Sequence, residues 1–384
     1  MCGPLQARTS IFKEADLLIS RGGLTLVPSC RPPLRYKSNV PLIPASILKI
    51  ATADATLSLL EPGFRFRTEF YQDTKGRLII KGFGDPFLIS EEITLISRKL
   101  RKHLRQPPSR IMIDQSAFKL NRRTAGTGNS LNPYDAGNAA LAVNFDTVKI
   151  KVAADLSTAS AEPQTPTLPI MQALGQKTGP GEYRITIPDL KNSTVHYAGQ
   201  LFAALLQKTD NQDPIQVGIF QGELPSKPVY THYSSKKLTE VVKAMLLYSN
   251  NFIANQLFLV CGAQRYGYPA TWNKGRQALA GFLNCEVGLP AQSFLIREGS
   301  GLSRANLITA EAMIRVLKHF RPYAHLLPDC QGHLLKSGTM SGVYSFAGYL
   351  KGDKGLQPLV IILNQRENNR DQLLKLLQEK PLTP

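Results

Sequence analysis

Ser46 and Lys49, in the stretch Pro44-Ala45-Ser46-Ile47-Leu48-Lys49-Ile50, put a hydroxyl and an amine one helical turn apart beside an apolar face. Residues at i and i+3 on a helix are neighbours, with Cβ atoms about 5–6 Å apart, so the amine can reach the hydroxyl. A serine alcohol is a weak nucleophile until a base takes its proton. Lysine is that base only where its surroundings hold it neutral, which partial burial and a second nearby cation both promote. Apolar residues then run through Ile47, Leu48, Ile50, Ala51, Ala53, Ala55, Leu57, Leu59 and Leu60 to Pro62-Gly63. That pattern buries a helix on most sides and holds its first turn rigidly at the edge of a cleft. The spacing alone is weak, because about one or two such pairs arise by chance in a chain of this length. Ser10/Lys13, Ser116/Lys119 and Ser234/Lys237 also fit it, and each by itself reads as a solvated pair.

The company of Ser46 does the selecting. Lys336-Ser337-Gly338-Thr339 leads through Ser341-Gly342 into an alternating segment that reads as a strand. A glycine beside the lysine lets another backbone approach, as a substrate peptide must when it adds to a sheet edge. A second Lys-Thr-Gly, at Lys177-Thr178-Gly179, is followed at once by Pro180-Gly181, which would interrupt a strand. Ser249-Asn250-Asn251 sits between two helical stripes, whereas the similar Ser130-x-Asn132 lies in a loop-rich stretch.

The elements that must position these residues read as follows. Residues 11–20 form a short helix, and Leu24–Val27 and Leu34–Tyr36 two strands. From Phe66 the texture changes. Phe66–Tyr71, Leu78–Gly82, Arg110–Asp114, Tyr183–Ile187 and Gln216–Phe220 read as strands, and Glu91–Leu104 and Ala198–Gln207 as helices. Ala139–Val152 is strand-like around Val143-Asn144-Phe145, residues 121–138 a long loop, and the proline-rich 159–181 irregular. This places a mostly β inserted module at 67–225, between segments 1–66 and 226–384. Afterwards Leu238–Tyr248 and Phe252–Val260 are helical, and Thr309 caps a helix Ala310–Phe320. Val343–Leu350 and Leu359–Leu363 are strands, and Gln372–Gln378 closes the chain as a helix.

With 384 residues, 43% hydrophobic and 19% charged, the chain is an ordinary globular protein with material for two or three domains. No apolar run approaches the ~18 residues that a membrane span needs. The formal charge of +18 implies attraction to polyanions, either an anionic membrane surface or a wall polymer. Arg98, Lys99, Arg101, Lys102 and Arg105 are the densest basic run, and read as a solvated helix face. No aromatic-interleaved basic strand or zinc-finger spacing accompanies it, so nucleic acid is not the expected partner. Cys2, Cys30, Cys261, Cys285 and Cys330 form no Cys-x-x-Cys pair. The histidines show no metal-binding spacing, so no metal or cofactor is expected. Met1-Cys2-Gly3 has no charged and apolar leader before it. The alternative is a start assigned too late, just ahead of a lipidated Cys2, which an in-frame apolar leader upstream would reveal.

Taken in order, Ser46-x-x-Lys49, Ser249-x-Asn251 and Lys336-Ser337-Gly338 resemble the three motifs of penicillin-recognising serine acyl enzymes. Ile43-Pro44-Ala45-Ser46, Phe64-Arg65-Phe66-Arg67-Thr68, Gly84-Asp85-Pro86, Glu298-Gly299-Ser300-Gly301-Leu302-Ser303-Arg304 and Gly342-Val343-Tyr344 narrow the resemblance. They look like the class C low-molecular-mass penicillin-binding proteins, the D-alanyl-D-alanine carboxypeptidase/endopeptidase family. Asn250, Ser337 and Glu298 depart from the residues most often found there, conservatively in hydrogen-bonding terms.

The resemblance implies an α+β fold: a penicillin-binding transpeptidase/β-lactamase-like domain, with an antiparallel sheet flanked by helices, carrying the inserted module. It implies a serine-type D-Ala-D-Ala carboxypeptidase that acts on peptidoglycan peptides outside the cytoplasm and is acylated by β-lactams. In that mechanism Lys49 activates Ser46, Ser249 passes a proton to the leaving amine, and Asn251 positions Lys49 and the substrate amide. Lys336, Ser337 and Thr339 would hold the terminal carboxylate, with Gly338 leaving room at the strand edge. The backbone N–H groups of Ser46 and Thr339 would form the oxyanion hole. A β-lactamase or esterase on the same scaffold, a non-catalytic wall-binding protein and a polyanion-binding module are the alternatives. The sequence carries no signal for oligomeric state.

Overall fold

The computed structural model describes residues 12–29, 31–120, 123–188, 192–207 and 215–379. Cys2, Cys30 and Ser10 lie outside the described residues. Contacts divide the chain into two units, one of Met1–Leu59, Val242–Asn250 and Arg276–Pro384, the other of Leu60–Val241 and Asn251–Gly275.

The first unit is built on a six-stranded sheet in the order Asp329–Cys330, His333–Met340, Val343–Gly352, Gly355–Leu363, Gly22–Leu26, Leu34–Tyr36. Every pairing is antiparallel. The central strands are mostly apolar: all five residues of Gly22–Leu26 are buried, as are the last six of Gly355–Leu363. Leu24, Leu26, Phe346, Leu359, Ile361 and Leu363 form one core with Leu373 and Leu374 of the closing helix Arg370–Glu379. The helix Ala310–Phe320 packs on the sheet as well, with the Thr309 hydroxyl accepting from the Ala312 N–H at 3.0 Å, the expected cap.

Two features carry the chain into the Ser46 turn. Asn364, just past the strand Gly355–Leu363, accepts from the Ile43 N–H at 2.8 Å and donates to the Ile43 carbonyl at 3.0 Å. The side chain thereby stands in for a strand neighbour. Ser345 Oγ donates to the Pro44 carbonyl at 2.7 Å. The helix Leu48–Leu60 follows, with Leu48, Ile50, Ala51, Ala53, Ala55 and Leu57 all buried, as its apolar run implies.

The second unit holds a five-stranded sheet ordered Tyr230–Tyr233, Arg67–Gln72, Arg77–Gly82, Arg110–Asp114, Gln216–Ile219. Its last two pairings are parallel. A parallel pair needs a crossover, and the helix Ser90–Leu100 supplies one between Arg77–Gly82 and Arg110–Asp114, burying Ile93, Ile96 and Leu100. The basic run falls at the end of this helix. Arg101 is not merely solvated there: its Nη2 donates to the carbonyls of Leu205 and Leu206 at 2.9 and 3.1 Å, satisfying the end of the helix Ser193–Leu206.

A three-stranded sheet orders Thr158–Ser160, Thr147–Val152 and Gly181–Thr186. The strand expected over Ala139–Val152 is therefore only Thr147–Val152. Ahead of it Asn144, Phe145 and Asp146 take left-handed φ of +48°, +60° and +54°, a turn held by the Asn144 side chain on Ser90 and Tyr197. Within the proline-rich stretch expected to be irregular, Pro169 opens a helix Pro169–Gly175, where its missing N–H is no loss. The helix Trp272–Cys285 and the strand Tyr230–Tyr233 had no expectation attached to them. The insert anticipated at 67–225 lies within a unit that begins at Leu60, ends at Val241 and also takes in Asn251–Gly275. Gln256 and Asn138 secure that last piece, through bonds to the Ala139 and Phe252 carbonyls at 3.0 and 3.1 Å.

Asn364→Ala leaves the Ile43 N–H and carbonyl without their partner, so it is expected to lower stability by about 1–3 kcal/mol. Urea unfolding checks this, and Asn364→Asp, which keeps only the acceptor, should fall between the two.

Candidate active site

Ser46 lies in a 3-10 turn, Ala45–Ile47, that runs into the helix Leu48–Leu60. Ala45 has φ +51°, a left-handed conformation that costs a non-glycine residue about 1–2 kcal/mol. Such strain is held only where the surroundings over-determine it, and here they do. Gly301 packs so tightly below that a Cβ on it would come 1.9 Å from the Ala45 carbonyl oxygen. Gly338 closes the other side: a Cβ there would lie 2.9 Å from both the Ser46 nitrogen and the Pro44 oxygen. Glycine is required at both positions, at Gly301 also by its φ of +85°.

Lys49 is wholly buried, and its Nζ lies 3.0 Å from Ser46 Oγ and 2.8 Å from the Ser300 carbonyl. Burial, first, and then the charge of Lys336 push its pKa down to about 7, against an opposing pull from Glu298. A neutral amine can donate to Ser300 and turn its lone pair to the serine proton. The Ser300 carbonyl is aimed by Glu298, a fully buried carboxylate. Glu298 accepts from the Ser300 N–H and hydroxyl at 2.7 and 2.6 Å, from the Gly301 N–H at 2.8 Å and from Asn306 Nδ2 at 2.7 Å. Thr52, one turn beyond Lys49, donates to the Gly299 carbonyl at 2.6 Å. The segment 298–304 is thus a carboxylate-centred turn docked onto the nucleophile helix.

Lys336, Ser337, Gly338 and Thr339 lie on the strand His333–Met340 in register with Ala347, Phe346, Ser345 and Tyr344. The short strand Asp329–Cys330 pairs only with His333 and Leu334, so the stretch from Lys336 onward has a partner on one side alone among the described strands. Its other edge meets the Ser46 turn at Gly338. Lys336 is buried with its Nζ on the Ser337 carbonyl at 2.7 Å. Burial, reinforced by the Arg370 charge, brings its pKa down to about 8.

Ser249 belongs to the same unit, in the turn after the helix Leu238–Leu247, with φ +52° and the Asn250 N–H bonded to the Met245 carbonyl at 3.1 Å. No hydrogen bond joins Ser249 to Ser46 or Lys49 among the described residues. Asn251 falls in the other unit, as the first residue of the helix Asn251–Tyr266, and donates from Nδ2 to the Tyr134 carbonyl at 3.2 Å. The competing pairs have structural work. Ser116 accepts nothing from Lys119 but closes a turn through its N–H on Asp114 at 2.7 Å, and Ser130 Oγ donates to Asp135 at 2.6 Å. Sequence reasoning missed Asn306, Ser345 and Arg370. None stands in a motif, and Ser345 and Arg370 act through the fold rather than their neighbours in sequence.

The fold and this site define a serine acyl-transfer enzyme of the penicillin-binding type. The chain matches the D-Ala-D-Ala carboxypeptidase 3 (S13) family over residues 31–181 and 189–326, and it belongs to that family. A D-alanyl-D-alanine carboxypeptidase DacB of Haemophilus influenzae is 24% identical over 383 residues, covering 83% of this chain and 80% of its own. A D-alanyl-D-alanine carboxypeptidase of Actinomadura is 25% identical, covering 84% and 73%. Among solved structures, penicillin binding protein 4 of H. influenzae superposes with a TM-score of 0.76 at 18% identity, over 97% of this chain and 98% of that one. A predatory endopeptidase of Bdellovibrio bacteriovorus, solved acylated by penicillin G, gives 0.52 at 14% identity, over 93% and 90%.

An amine takes a serine proton only when neutral, so if Lys49 is the base for Ser46, acylation by penicillin is expected to rise with pH through a midpoint near 7. Lys336→Met removes a like charge and should carry that midpoint upward. A pH profile of acylation by labelled penicillin, taken for both proteins, measures the shift.

Proposed function

We propose that Ser46 is the acylated nucleophile and Lys49 its base, in hydrolysis of the terminal D-Ala-D-Ala bond of peptidoglycan peptides. The observation that carries this is the buried, depressed Lys49 amine 3.0 Å from Ser46 Oγ, at the edge of the strand that bears Lys336. The substrate lies along the open edge of that strand, its terminal carboxylate toward Lys336, Ser337 and Thr339. Ser46 Oγ adds to the carbonyl as its proton moves to Lys49. The backbone N–H groups of Ser46 and Thr339 take the developing oxyanion, donors typically worth about 3–4 kcal/mol each.

The C–N bond then breaks, and the leaving D-alanine amine receives a proton through Ser249. Asn251 keeps the part that the motif order assigns it, on the substrate amide. Water hydrolyses the ester and restores Ser46. A penicillin enters the same path and stalls at the ester. Ser46, Lys49, Ser249 and Lys336 belong to the unit built on the six-stranded sheet, and 60–241 and 251–275, with Asn251, to the other. The substrate places the enzyme outside the cytoplasm, where the net charge of +18 favours anionic membrane or wall surfaces.

Ser46→Ala is expected to cut turnover of a D-Ala-D-Ala peptide by about 10,000-fold or more and to abolish labelling by fluorescent penicillin. Peptide mapping of the labelled wild-type protein should find the adduct on Ser46. A label on Ser116, or turnover that survives the substitution, would overturn the assignment.

A further inference from the structure

The second unit holds a cavity of about 300 Å³ whose walls are aromatic. Phe64, Phe66, Phe83, Tyr233 and Tyr268 line it, and among the described residues no aliphatic side chain does. Strand register brings two of its key side chains together: Tyr233 pairs with Arg67 across the strands Tyr230–Tyr233 and Arg67–Gln72, so both stand on one face of the sheet. Edge-to-face contacts fix the walls, Phe64 on Phe66 with ring centroids 5.1 Å apart and Phe83 on Tyr268 at 5.4 Å. The Arg67 guanidinium carbon lies 3.9 Å from the centroid of the Phe83 ring, and its Nε donates to Glu69 at 3.0 Å. Both Nη groups are left without a hydrogen bond among the described residues. Gln264, exposed on the cavity wall, makes only a long contact of 3.4 Å from Nε2 to the Tyr268 hydroxyl. Tyr233 is 60% exposed.

Such walls suit a ligand that is apolar on its faces and polar round its edge. A purely apolar group would strip water from the Arg67 nitrogens and Gln264 without replacing its hydrogen bonds. A strongly anionic one would find the Arg67 charge already balanced by Glu69. A neutral amino sugar meets both conditions, since its C–H faces stack on rings while its hydroxyl and acetamido groups pair with the free donors and the amide. The volume lies at the small end for ligand sites, with room for one sugar ring rather than a long segment. We propose that this cavity is a glycan subsite that takes an N-acetylated amino sugar, with Tyr233 as the stacking platform and Arg67 and Gln264 reading the acetamido group. Ser46, Lys49 and Lys336 lie in the other unit, so the subsite is distinct from the acylating centre. The inference rests on the reading of the enzyme as acting on peptidoglycan, whose peptides are carried on a strand of such sugars.

The test titrates the full chain with N,N′-diacetylchitobiose and with cellobiose, in which hydroxyls replace the acetamido groups, by saturation-transfer NMR. Wild type is expected to bind cellobiose about 10-fold more weakly or worse, because donors are then left unpaired. Tyr233→Ala should weaken binding of diacetylchitobiose about 10-fold, and Tyr233→Phe, which keeps the ring, should stay within about 2-fold of wild type. Gln264→Ala should narrow the preference over cellobiose. Equal binding of the two sugars by wild type, binding of neither, or an undiminished affinity in Tyr233→Ala would overturn the subsite.

Labelling by fluorescent penicillin keeps the two readings apart. Tyr233→Ala should label at the wild-type rate, which also shows that it has folded; should it fail to fold, Gln264→Ala carries the comparison. A wild type labelled on Ser46 that binds no sugar leaves the acylating pair standing and removes the subsite. A wild type that binds diacetylchitobiose with the expected preference but takes no label on Ser46 supports the subsite and removes the acylation reading.

Discussion

The site depends on removing the Lys49 amine from water. Taking an ammonium ion out of water into a protein interior is costly, and the group answers by giving up its proton rather than its position. Its pKa of about 7 makes it a base at neutral pH, a service an exposed lysine does not perform. The arrangement is a burden on folding. The unfolded chain holds that proton up to the ordinary lysine range while the folded one releases it near 7. Between those limits the unfolded state binds more protons, so this group makes the fold more stable as pH rises and less stable as it falls.

Everything near Lys49 can be understood as tolerating that burden. The amine needs a hydrogen-bond acceptor that is not an anion in contact, since a paired carboxylate would restore its charge. The Ser300 carbonyl meets this need. Glu298 stands one step back, its oxygens occupied by N–H and O–H donors of its own turn. Its pull on Lys49 is real but ranks below burial and below the repulsion from Lys336. A glutamate moved into direct contact would leave the geometry of the helix unchanged and destroy the base.

These physical demands explain what could be read from the sequence. Ser46-x-x-Lys49 was legible because the apolar run after it announced burial, and Lys336-Ser337-Gly338 because alternation marked the strand that follows. Both are local signals. The competing pairs failed for equally local reasons, such as the turn at Asp114 that occupies Ser116. Asn364, Ser345 and Arg370 were not legible, because their partners lie far off in sequence: Asn364 serves Ile43, and Ser345 serves Pro44. The turn Asn144–Asp146 was misjudged for a related reason. Val143-Asn144-Phe145 has strand composition, and only the buried bonds from Asn144 to Ser90 and Tyr197 make the left-handed turn the better state. Membership of Asn251–Gly275 in the second unit likewise rests on Gln256 and Asn138, which no periodicity reveals.

Charge is where the global and local arguments separate. A net +18 describes 46 basic residues, most of them in solvent and screened from one another within about 10 Å at ordinary ionic strength. Arg101, in the densest basic run, caps a helix instead of facing a polymer. The site's electrostatics come instead from a small group removed from bulk water, where each charge is screened less from its neighbour. Arg370 lowers Lys336, and Lys336 lowers Lys49. This chain of like charges runs from the closing helix across the strand to the nucleophile. An anion arriving among the outer two members would weaken the repulsion on the third and raise its proton affinity. On the proposed assignment, a carboxylate bound beside Lys336 would raise the Lys49 pKa from about 7, so each neutral Lys49 is a stronger base while fewer copies are neutral at neutral pH.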